Sequence, residues 1–93
     1  MWAGDYHLLS RLWTRDGQIV ELAWRDGKLY FSGHAAADQD CRCDERAVEV
    51  ATVENAPQQE TTILESASYD HLYILSGDRT FRSSCRGERW EEF

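Results

Sequence analysis

Two Arg-Asp-Gly triplets ten residues apart, Arg15-Asp16-Gly17 and Arg25-Asp26-Gly27, frame an alternating segment, and they constrain the fold more than any other feature. Asp-Gly supplies at low cost the positive φ that a two-residue type I′ hairpin turn needs at both central positions. Between the triplets, Val20, Leu22 and Trp24 share one parity while Glu21 and Arg25 share the other. This period of two predicts a strand with one face packed on a core and the other largely solvated. With two-residue turns at both ends, Trp24 faces Leu29, Leu22 faces Phe31 and Trp13 faces Val20, each an apolar cross-strand pair. A three-residue loop with a glycine bulge at either turn would slip that register by one.

The rest of the chain reads in the same way. Residues 6–14 are predicted as a strand, with a short helix over Leu8–Trp13 as the competing reading; strands follow at 18–25 and 28–33. Residues 34–46 form the longest stretch without strand character and are predicted as a loop, with room for one helical turn at Ala35-Ala36-Ala37. Residues 47–54 are rich in β-branched side chains and read as a strand, a helix over 44–55 being the alternative. Pro57, the one proline, breaks this element before strands at 61–66, 71–76 and 79–84. Ser76-Gly77-Asp78-Arg79 fits a type II′ turn and places Ile74 opposite Phe81. The tail, 85–93, either adds an edge strand or lies free. The expected fold is a single mainly-β domain over residues 1–93, a small antiparallel sandwich or open barrel of six to seven strands in two meanders.

Composition narrows the partners. At 93 residues the chain carries a net charge of −7 and a pI near 4.8, which argues against direct contact with nucleic acid or an anionic membrane. No apolar run approaches the roughly 20 residues that span a bilayer, and the N-terminus does not read as a signal peptide, so a cytoplasmic location is expected. Three cysteines, two of them separated only by Arg42, do not form an evident disulfide framework. Ten basic residues that include a single lysine, Lys28, point to a GC-rich bacterial or phage genome.

Candidate chemistry is sparse. Cys41, Cys43, Cys85 and His34 could furnish a zinc tetrahedron, but the spacing is not that of paired Cys-x2-4-Cys knuckles, and reduced cysteines are the plainer reading. Asp38, Asp40, Asp44 and Glu45 cluster in the 34–46 loop without the glycine, closing glutamate or flanking helices of a calcium loop. No nucleophile elbow, Cys-x-x-Cys or phosphate-binding glycine loop is present, and adjacent Asp70 and His71 would point to opposite faces of a strand. Neither an enzyme nor a cofactor is expected. The four Trp, four Tyr and three Phe are more than a small core conceals; Trp24, Phe31 and Phe81 read as core, while Tyr6, Tyr30, Tyr73, Trp90 and Phe93 read as exposed.

The expectation is therefore a small acidic protein-binding module that inhibits or caps a basic site on a larger protein or nucleoprotein complex. Phage anti-defence inhibitors and immunity-type proteins have this general character. Glu21, Tyr30, Asp38, Asp40, Asp44, Glu45, Trp90, Glu91 and Glu92 are the candidate partner-binding residues. The alternatives are an accessory subunit or homodimer assembling through a sheet edge, and a zinc-stabilised domain. As a module the chain would be a monomer or a homodimer.

Overall fold

The computed structural model describes residues 4–35, 47–67, 71–84 and 87–93. Among these described residues, eight antiparallel strands make two four-stranded sheets, each laid down in chain order. The first sheet contains β1 (His7–Trp13), β2 (Gln18–Arg25), β3 (Lys28–Ala35) and β4 (Val48–Thr52). The second contains β5 (Thr61–Glu65), β6 (Leu72–Ser76), β7 (Arg79–Ser84) and β8 (Arg89–Glu92). A 3-10 turn at Ala56–Gln58, built around Pro57, joins them. β1 lies against β5 and β4 against β8, so the sheets form a flattened barrel whose two seams carry no continuous backbone ladder. Side chains bridge the seams instead: Ile63 N donates to Ser10 Oγ at 3.4 Å, and Arg79 Nη1 donates to the Thr52 carbonyl at 2.8 Å.

The inner faces meet in one core of Val20, Leu22, Leu29, Phe31, Val53, Ala56, Ile63, Leu72, Ile74 and Phe81. The strand expected at 47–54 is present as β4, so the helix over 44–55 does not form. β-Branched side chains at alternate positions suit a pleated edge better than a helix. The 34–46 loop lies almost wholly outside the described residues. The tail supplies β8, an eighth strand beyond the six to seven expected.

Turn chemistry predicts two of the hairpins. Asp26 and Gly27 have φ of 52° and 83°, the two-residue type I′ geometry, and Trp24 faces Leu29 and Leu22 faces Phe31. At the β6–β7 turn Gly77 has φ of 61°, and Ile74 faces Phe81. The first hairpin differs. Thr14 closes it with a three-residue loop: its N–H donates to the Gln18 carbonyl at 2.8 Å, and its buried hydroxyl accepts from Gln18 N at 3.0 Å while also bonding Asp16. Gly17, at φ of 84°, takes the left-handed position of such a loop. The register slips by one, so Leu12 takes the place expected of Trp13 opposite Val20; Trp13 pairs with Ile19 and is 63% exposed. A bulge at Leu9 then turns that side chain toward the core.

Candidate binding surface

The outer faces of the two sheets differ in kind. On the first sheet the parity expected to be solvated is covered: Glu21 is 2% exposed, and Ala23 and Ser32 are fully buried. Leu8 and Tyr30 flank Ala23 in the ladder, Tyr6 stacks edge-on against Tyr30 at 5.3 Å, and the Arg25 guanidinium sits 4.7 Å from the centre of the Tyr6 ring. Arg11 holds one oxygen of the Glu21 carboxylate: its Nε donates to Oε2 at 2.8 Å, and its Nη2 makes an ion pair with the same oxygen at 2.8 Å. Opposite it in the ladder, the Ser32 hydroxyl is buried and has no hydrogen-bond partner. Period-two reasoning misplaces Glu21 because it counts on water over a face that flanking aromatic and arginine side chains can cover.

The outer face of the second sheet is open. Registers give two rows across it: Thr62, Leu75, Thr80 and Phe93, then Leu64, Tyr73, Arg82 and Glu91. Leu64, Leu75 and Phe93 are exposed, and Tyr73 meets Phe93 edge-on at 6.2 Å. These four make a contiguous apolar patch, the kind of surface that marks interaction sites. Its polar side is closed by an Arg82–Glu91 ion pair at 2.7 Å. Arg79 grips both oxygens of Glu92, each at 2.8 Å, and this hydrogen-bonded pairing holds the Glu92 carboxyl below its ordinary pKa.

At one end of this face the barrel collects carboxylates. The β2–β3 turn, the β4–β5 connection and the β6–β7 turn all lie there, held by Val53 N to the Gly27 carbonyl at 2.8 Å and Gly77 N to the Glu60 carbonyl at 3.0 Å. They bring exposed Asp26, Glu54, Glu60 and Asp78 to one end, with Asp5 beside Tyr6. Among the basic groups there, Lys28 pairs with Glu49 at 3.1 Å, which raises its pKa, and Arg79 is held by Glu92. Arg25 is 3.9 Å from Asp26. Among the described residues, Glu54, Glu60 and Asp78 have no ion-pair partner. A cleft of about 250 Å³, lined by Glu60, Thr62, Leu75 and Gly77, joins this acidic end to the apolar patch.

Of the residues singled out from sequence, Glu91 and Glu92 lie at the margin of this surface, each paired with an arginine. Tyr30 is half-buried on the first sheet. Trp90 is not the free aromatic expected of the tail: it packs on the core, its ring 5.3 Å from that of Phe31 and its indole N–H donating to the Gly87 carbonyl at 3.0 Å. Asp38, Asp40, Asp44, Glu45, Cys41, Cys43 and Cys85 lie outside the described residues, as does the side chain of His34. Leu64, Leu75, Glu60 and Asp78 were missed by sequence reasoning. They come from β5, β6 and the connections that precede β5 and follow β6, and the available signal was that alternate turns of a meander share one end.

Among the described residues no group of three or more His, Cys, Asp or Glu is arranged to hold a metal ion. None of their helices is long and apolar enough to cross a membrane. Comparison with protein-family models, curated proteins and solved structures gives no match. The fold itself therefore sets the class, a mainly antiparallel β domain of two four-stranded sheets.

Proposed function

We propose that the protein is a small acidic binding module that caps a basic site on a larger protein or nucleoprotein complex, using the open face of the second sheet and the acidic end beside it. The observation that carries this reading is their continuity. Exposed Leu64, Leu75 and Phe93, with half-buried Tyr73 among them, share one face, and Leu75 shares a cleft with Glu60 beside the turn that bears Asp78. Negative charge speeds encounter with a cationic surface, while apolar side chains that become dry on contact lengthen the residence time.

Affinity capture from the native host, followed by binding measurements on the purified partner, tests the reading. Leu75→Ser combined with Phe93→Ser is expected to abolish capture of a discrete partner, whereas Trp13→Ser on the opposite sheet leaves it intact. Circular dichroism establishes that each variant is folded. Retention of the same partner by the double variant, or affinity indifferent to ionic strength, overturns the proposal. A dimer in sedimentation that the double variant abolishes would reassign the face to self-association.

A further inference from the structure

The cleft between Glu60 and Leu75 has the chemistry of a slot for one basic side chain, and we infer that it seats an arginine of the partner protein. This inference rests on the binding reading above and names the group that would be recognised. On the open face and its margin, Glu91 is taken by Arg82 and Glu92 by Arg79, whereas Glu60 is exposed with no ion-pair partner among the described residues. Beside Glu60, exposed Leu75 and half-buried Thr62 give an apolar wall, and Gly77 closes the far side without a side chain. An arginine can lay its aliphatic stem on such a wall while its planar guanidinium meets the carboxylate through two parallel hydrogen bonds.

The slot is also rigid. Gln59 Nε2 donates to Ser76 Oγ at 3.1 Å, and Ser76 is fully buried with its hydroxyl 3.1 Å from that of Thr61. Thr61 Oγ1 lies 3.2 Å from the Gln59 carbonyl it donates to, and the Gln59 N–H donates to the Ala56 carbonyl at 3.3 Å. Glu60 therefore projects from a bend anchored on both sides. A Cβ at residue 77 would come to 2.5 Å from Gln59 Oε1, so glycine there keeps both the turn and the anchoring glutamine in place. A preformed site loses less ordering entropy on binding than one that must assemble.

The test is an NMR titration of the whole protein with N-acetyl-arginine amide, its neutral isostere N-acetyl-citrulline amide, and N-acetyl-lysine amide. Saturable amide shifts confined to Thr62, Leu75 and Gly77 are expected with the arginine probe. Affinity should fall about two- to fivefold with citrulline and again with Glu60→Gln, the range of an exposed charged contact. Shifts spread evenly over the turns bearing Asp26, Glu54 and Asp78, or affinity unchanged in Glu60→Gln, overturn the slot. Tighter binding of the lysine probe overturns the choice of arginine. If the slot fails while partner capture still depends on Leu75 and Phe93, the binding face stands without it. If the slot holds while capture ignores those residues, the face reading falls instead.

Discussion

Replacing Gly87 by alanine tests whether the last strand is seated on the core as described. Gly87 has φ of 101°, where side chains are rarely found, and a Cβ there would lie 2.6 Å from Phe31 Cζ and nearer still to Cε2. Phe31 cannot easily yield, being 4% exposed and pressed on its other contacts by the Trp90 ring. Overpacking of this kind costs about 1–3 kcal/mol. The left-handed backbone adds about 1–2 kcal/mol for a residue with a Cβ. Gly17 separates the two effects, because its φ is 84° but a Cβ there meets nothing within 4 Å. Urea and thermal melts should therefore place Gly87→Ala about 1–3 kcal/mol below Gly17→Ala. The total loss of about 2–5 kcal/mol is large beside the roughly 5–15 kcal/mol that stabilise a domain. Each kcal/mol corresponds to about 4–8 °C of melting temperature in a chain of this size. Phe31→Leu should relieve part of the loss in a double-mutant cycle. Equal stability of Gly87→Ala and Gly17→Ala would refute the seating of β8 on Phe31.

Three further outcomes are expected. Arg11→Ala should cost about 1.5–3 kcal/mol in chemical denaturation, because it strips hydrogen bonds from the buried Glu21 carboxylate, whereas Arg82→Ala at the exposed Glu91 pair should cost at most about 1 kcal/mol. Ser32→Ala should leave stability unchanged or raise it by about 1 kcal/mol, since it deletes a buried hydroxyl that has no partner, and a marked loss would mean that the hydroxyl is bonded. The lowered pKa of Glu92 means that its contribution is complete above the unfolded carboxylate value, about 4.3, and is lost as pH falls through the folded value. Protection of the β8 amides, measured against the intrinsic exchange rate at each pH, should thus fall on acidification, an effect that Glu92→Gln removes.

The strands were legible because the alternation and the turns agreed. Asp26, Gly27 and Gly77 take positive φ where the turns need it, and Val20, Leu22, Phe31, Ile74 and Phe81 all reach the core. The first hairpin was misjudged because Asp-Gly serves both two- and three-residue loops, and the Thr14 hydroxyl decided between them. The covered face around Glu21 was hidden for a different reason: exposure of an outward parity depends on what neighbouring strands hang over it. The binding surface was less legible still. Leu75 and Glu60 acquire a common cleft only once β5 and β6 are paired and the turns are stacked at one end.

The seams between the sheets also bear on how the chain reaches this state. Every ladder joins strands consecutive in sequence, and the one connection of notable length within a sheet is that from β3 to β4. Closing a short loop before pairing costs little entropy, and pairing between strands distant in sequence is what slows most all-β chains. Here neither sheet contains such a pair. The tight hairpins can zip from their own turns, leaving β4 to pair across the longer β3–β4 connection and the two apolar faces to dock across the Pro57 connection.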